Sequence, residues 1–146
     1  MESKRAKARE LAHAYLDRND PLGWFEALYS AAQRGLAVIP WTDMVPNPNL
    51  VAWLDQNEIV GSGKTALDIG CGLGDDAEAL ARRGFQVVAF DISDTAIGRC
   101  RSRFPGSPVC YLHQDLLESP PEWGGAFDFV LEAYTLQVLP PELRQG

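Results

Sequence analysis

Ala66-Leu67-Asp68-Ile69-Gly70-Cys71-Gly72-Leu73-Gly74-Asp75 decides the fold of this chain. An apolar run carries an aspartate and then meets three glycines at alternate positions. Residues 65–69 read as a short buried strand. Gly70, Gly72 and Gly74 open backbone angles closed to residues with a Cβ and let a ligand approach the main chain. Residues 75–83 read as a helix with its acids in the first turn and its arginines in the last, the order that suits the helix dipole. Gly84 stops it. Residues 85–90 read as the next strand, which runs into Asp91. Strand, glycine turn, helix and strand predict a parallel pair with a right-handed crossover. Ligands in such folds bind beyond the carboxyl ends of the strands. Asp68 and Asp91 each bring a carboxylate to that end, which suits a ligand with a ribose and a charged amino-acid end better than a phosphate-rich one.

A dinucleotide fold shares this outline. Its fingerprint is G-x-G-x-x-G with an acid about 20 residues on. Gly70 and Gly72 match the first two glycines, but Asp75 occupies the third position and Gly74 falls one residue early. Asp75 and Asp76 would also set two carboxylates against a diphosphate at the helix terminus. A nicotinamide-dependent oxidoreductase is therefore the weaker reading. Gly61-Ser62-Gly63-Lys64-Thr65 ends like a phosphate loop, yet it precedes a strand where that motif must follow one.

Outward from the turn, Ser93 caps a helix that ends at Pro105-Gly106, with Ala96, Ile97 and Cys100 inward and Arg99, Arg101 and Arg103 exposed. Residues 109–112 read as a third strand, 119–125 as a turn-rich connection and 126–131 as a fourth strand. Upstream, residues 2–16 favour helix. Asp20-Pro21 reads as a cap and first helical position for a helix reaching Arg34. Pro48 starts another through Gln56, with Leu50, Val51 and Leu54 inward. The expected division is an N-terminal helical cap and loop over 1–60 and an α/β core over 61–146, incomplete at its carboxyl end. Trp24, Tyr29 and Trp41 are aromatic candidates for a substrate-pocket wall, and Glu132 and Tyr134 for an acid or base beyond the fourth strand.

Composition narrows the function classes. The chain has 146 residues, 46% of them hydrophobic and 23% charged, which fits one globular domain. A net charge of −7 disfavours nucleic acid as partner. No apolar run reaches bilayer length, and the basic N-terminus lacks the apolar core of a secretory signal, so no membrane partner is expected. Cys71, Cys100 and Cys110 show neither a disulfide framework nor metal spacing, and His13 and His113 are the two histidines. A cytoplasmic protein without a metal is the expectation.

Leu67-Asp68-Ile69-Gly70-Cys71-Gly72-x-Gly74 resembles motif I of the class I S-adenosylmethionine-dependent methyltransferases. Asp91 resembles the family's acid after the second strand, His113-Gln114-Asp115-Leu116-Leu117 its next motif, and Phe127-Asp128-Phe129-Val130-Leu131 its fourth strand. Ile39-Pro40-Trp41 with Pro46-Asn47-Pro48-Asn49-Leu50 is similar to the thiopurine methyltransferase-like and tellurite-resistance-type branch. The resemblance implies a Rossmann-like α/β fold, here a partial sheet in the order 3-2-1-4 with N-terminal helices. It implies S-adenosyl-L-methionine as cofactor and S-adenosyl-L-homocysteine as product.

It also implies roles for residues. Asp91 binds the ribose hydroxyls and Asp115 the adenine amino group, with Leu116 on the ring. Gly70 and Gly72 admit the homocysteine part, and Asp68 orients the turn and meets the ammonium through water. Cys71, Gly74, Ile92 and Glu132 complete the cofactor set. The expected function is methyl transfer to a small, thiol-like acceptor; the alternative is an adenosylmethionine-binding or interaction module without turnover. An unpaired fourth strand would be an apolar edge, and a homodimer through it is expected.

Overall fold

Alternation along four short strands builds a fully parallel sheet in the computed structural model, which describes residues 2–20, 22–37, 39 and 44–132. The strands are β1 (Thr65–Ile69), β2 (Gln86–Asp91), β3 (Cys110–His113) and β4 (Phe129–Glu132), in the order β3-β2-β1-β4. Asp68 stands opposite Ala89 of β2 and Leu131 of β4, and Asp91 opposite His113 of β3. The expected order 3-2-1-4 is therefore the observed one.

Period-two side-chain direction separates the two sheet faces. Ala66, Val87, Ala89, Tyr111, Phe129 and Leu131 lie on one face and share a core with three helices. Those helices are α3 (Pro48–Gln56), α4 (Asp75–Arg82) and α5 (Asp94–Arg103), which contribute Leu50 and Leu54, Ala77 and Leu80, and Ile97 and Cys100. Asp68 and Asp91 fall on this same face by alternation. On the other face Trp123 covers Phe90, with ring centroids 5.3 Å apart, while Val130 keeps 54% of its surface exposed.

Local chemistry explains the helix starts. The Asn47 side chain accepts the Asn49 N–H at 2.9 Å and Pro48 follows as the first residue of α3. Ser93 accepts the Ala96 N–H at 3.0 Å to cap α5. α1 (Glu2–Asp17) and α2 (Gly23–Gln33) precede them. Asp20 is not the cap of α2, which starts at Gly23 after Leu22 without a side-chain cap bond and ends at Gln33, one residue short of Arg34; Asp20 accepts the Gly23 N–H at 3.0 Å, and Pro21 lies outside the described residues. Trp24, Leu28, Tyr29 and Ala31 form a second buried cluster that includes Leu73 of the glycine turn and Ala96 of α5.

Two further expectations need correction. The fourth strand begins at Phe129 and not at 126: the Asp128 N–H donates to Thr65 O at 3.0 Å, but the Thr65 N–H donates at 2.9 Å to the Asp128 carboxylate in place of a backbone carbonyl. Arg103 is not a solvated arginine. It forms a two-pronged ion pair with Asp75, with both N–O distances 2.9 Å, and the side chains are only 20% and 13% exposed.

Candidate functional site

The glycine turn connects β1 to α4 and is stitched to its neighbours on three sides. The Cys71 N–H donates to Phe90 O at 2.9 Å, which fixes the turn against the end of β2. Arg103 donates to Leu73 O at 2.8 Å from α5. Asp76, in the first turn of α4, accepts the Asn47 N–H at 2.7 Å and draws the segment before α3 toward the turn. Glycine is required where side chains close in. Gly72 has φ +56°, and a Cβ there would lie 2.9 Å from the Tyr29 hydroxyl. Gly74 has φ +92°, and a Cβ there would lie 2.7 Å from the Tyr111 hydroxyl. That hydroxyl donates to Glu78 Oε2 at 2.6 Å, and burial pushes its pKa up.

Asp91 joins the two turns. Its Oδ2 accepts the Gly72 N–H and its Oδ1 the Ser93 N–H, both at 2.9 Å. A carboxylate offers about four acceptor directions, so these bonds leave room for two further donors. Burial raises the Asp91 pKa against the opposing pull of those two backbone bonds. Glu26 nearby raises it further, and His113 lowers it.

Asp68 is as deeply buried, with 3% exposure, but Oδ2 has no hydrogen-bond partner among the described residues. Burial holds its pKa well above the usual carboxylate value, and the charges of Asp76 and Asp91 push the same way. A buried acceptor without a donor costs roughly 1–3 kcal/mol. Asp76 and Asp91 make its surroundings negative.

The other expected residues are placed as follows. Ile92 follows Asp91, and its carbonyl lies 2.9 Å from His113 Nε2. Asp115 Oδ1 accepts the Leu117 N–H at 2.8 Å and caps a short 3₁₀ turn that begins at half-buried Leu116. Cys71 is buried in the turn; a hydrogen bond with Cys100, then burial, push its thiol pKa up. Glu132 ends β4 opposite Ile69. Tyr29 is buried beside Gly72. Trp24 is 6% exposed and stacks on Phe25, with ring centroids 4.1 Å apart. Trp41 and Tyr134 lie outside the described residues. Arg103, Asp76 and Glu26 were missed as organisers of the site. Their partners are distant in sequence, so no local pattern marks them. Among the described residues no helix is long and apolar enough to cross a membrane.

A parallel sheet with two acids beside a glycine turn defines a nucleoside-binding α/β domain, and comparison with known proteins states which kind. The family model for the methyltransferase domain matches residues 66–146. The chain belongs to that family, with the class I fold of S-adenosylmethionine-dependent methyltransferases.

It is 31% identical over 137 residues to a ubiquinone biosynthesis O-methyltransferase of Pseudomonas paraeruginosa, covering 92% of this chain and 51% of that protein. It is 30% identical over 139 residues to probable thiol methyltransferase 2 of Arabidopsis thaliana, covering 94% and 58%. An N-methyltransferase of Bradyrhizobium japonicum, solved with S-adenosyl-L-homocysteine, is similar with a TM-score of 0.59 at 27% identity. That likeness covers 80% of this chain and 61% of the other. The chain spans about half the length of the curated relatives it matches.

Proposed function

We propose that this chain carries the S-adenosyl-L-methionine site of a methyltransferase acting on a small-molecule acceptor. The carrying observation is Asp68, a buried carboxylate with one oxygen unpartnered among the described residues, in a negative environment. The amino-acid end of the cofactor brings an ammonium that matches it. When bound, adenosylmethionine supplies a methyl group already activated on a sulfonium, so the protein has chiefly to align donor and acceptor.

The residues divide that task. Asp91 keeps two acceptor directions for the ribose hydroxyls, in charge-assisted bonds. Asp115 serves the adenine amino group, with Leu116 against the ring. Gly70 and Gly72 give the homocysteine part room, with Cys71, Gly74 and Ile92 in the surrounding backbone. To Glu132 and, from its place in the sequence, Tyr134 we assign the acceptor: either would orient the nucleophile or take its proton. Trp24, Tyr29 and Trp41 belong to the N-terminal part, residues 1–60, which we assign to the acceptor; residues 61–146 are assigned to the cofactor. The three similar proteins act, by their names, at oxygen, sulfur and nitrogen. We favour a thiol-like acceptor, on the proline motifs around Trp41 and the thiol methyltransferase relative. A screen of small thiols, phenols and amines with methyl-labelled cofactor decides among them.

Two further readings accompany this one. Exposed Val130 on β4 supports self-pairing of that strand; sedimentation velocity that shows a monomer at every concentration rejects it. Three cysteines without a disulfide support a reducing, cytoplasmic location, which fractionation of the source cells checks. The main reading is tested by calorimetry with adenosylmethionine and adenosylhomocysteine. Saturable binding without transfer across the acceptor screen would favour a binding module, and no binding by the folded chain at millimolar ligand would reject the site.

A further inference from the structure

Glu26 serves an element far from it in sequence. Its Oε1 accepts the Thr95 N–H at 2.7 Å, and the Ser93 hydroxyl donates to Oε2 at 3.4 Å. That hydroxyl oxygen accepts the Ala96 N–H, while the Ser93 N–H donates to Asp91 Oδ1. The first N–H groups of a helix have no partner within it. A helix often answers this with a capping serine and its own acid at the third helical position. In α5 that position is Ala96; the Ser93 N–H that such an acid would take goes to Asp91, and the Thr95 N–H goes to Glu26 of α2. One helical turn on, Tyr29 brings its hydroxyl against Gly72. One face of α2 thus reaches both turns that carry the site.

We propose that Glu26 is a positioning residue for the ribose end of the cofactor site: it fixes the backbone of Ser93 and Thr95, and that backbone aims the Asp91 carboxylate. α2 is then part of the cofactor machinery as well as a neighbour of the acceptor. The proposal rests on the reading of Asp91 as the ribose-binding acid. Glu26 acts on Asp91 through charge as well. The ionisable groups around Asp91 are Glu26 from α2, His113 from β3, Asp68 from β1 and Cys71 from the glycine turn. Asp94 of α5 lies 4.0 Å from His113. Glu26 disfavours the Asp91 anion and His113 favours it.

The test uses the full chain with Glu26→Ala, Glu26→Gln and, as control, Glu10→Ala in the exposed α1 ion pair with Lys7. Adenosylhomocysteine affinity is read by calorimetry, and the Asp91 titration and Thr95 amide exchange by NMR. Glu26→Ala should weaken affinity about fivefold, the equivalent of a lost helix cap, and expose the Thr95 amide. Glu26→Gln keeps an acceptor oxygen and should recover affinity and amide protection, while the Asp91 midpoint moves down as the neighbouring charge disappears. Glu10→Ala should match the wild type. Wild-type affinity in folded Glu26→Ala overturns the proposal. So does an unmoved Asp91 midpoint in Glu26→Gln, whatever the melting temperature does. If the wild type itself binds no adenosylhomocysteine, the reading of the site falls, and the two NMR measurements still decide whether Glu26 positions the Asp91 turn.

Discussion

The turn after β1 and the turn after β2 are built alike and finished differently. Each is served by a buried aspartate near the carboxyl end of a parallel strand, on the helix-covered face of the sheet. Asp91 accepts two backbone N–H groups and so holds its own turn to the glycine turn. Asp68 leaves Oδ2 without a donor among the described residues. Folds satisfy nearly all buried polar groups, so each exception calls for a cause. One aspartate is thus fastened into the backbone, and the other keeps an oxygen that no described residue satisfies.

The comparison breaks most visibly at Asp91. Asp91→Ala strands the Gly72 and Ser93 N–H groups, at about 1–3 kcal/mol each. Stability should fall by roughly 2–6 kcal/mol in urea melts, and adenosylhomocysteine affinity of the folded fraction by at least about tenfold. A variant as stable as the wild type would show that Asp91 does not join the turns.

Asp68→Asn sharpens the contrast because stability and binding should move in opposite directions. Removing a buried carboxyl whose ionisation the fold opposes should stabilise the free protein at neutral pH by about 1 kcal/mol, while adenosylhomocysteine affinity falls roughly tenfold. A loss of both stability and affinity would mean that Asp68 has a structural partner after all.

The smallest effect is in pH. The folded-state pKa of Asp68 is raised, so the folded protein binds more protons than the unfolded chain in the range between the two values. The associated stability is fully present below the ordinary carboxylate value and is lost as pH rises through the folded value. The melting-temperature advantage of Asp68→Asn should therefore be small near pH 4 and grow toward neutrality. An advantage that is flat with pH would contradict ionisation of this side chain.

The glycine turn, α3 and the cap of α5 were legible because each rests on local signals: glycine spacing, a capping side chain beside a proline or a helix; the sheet order followed from the resemblance to the methyltransferase family. The start of β4 was not legible, since the Asp128 carboxylate competes for a backbone donor of β1. Arg103 reads as solvent-exposed from the periodicity of α5 alone; its ion pair exists because α5 packs beside the start of α4. Asp76 and Glu26 were hidden for the same reason, each answering a backbone N–H contributed by another part of the chain. The acids at the strand ends were readable in the sequence, while the contacts that hold them are tertiary.

The central claim is that Asp68 and Asp91 flank a site for adenosylmethionine and its product. Isothermal calorimetry of the folded chain with S-adenosyl-L-homocysteine tests it most directly. The account predicts saturable one-to-one binding that weakens in Asp68→Asn while the protein becomes more stable. A folded chain that takes up no ligand at millimolar concentration, or an Asp68→Asn variant that binds as the wild type does, would contradict it.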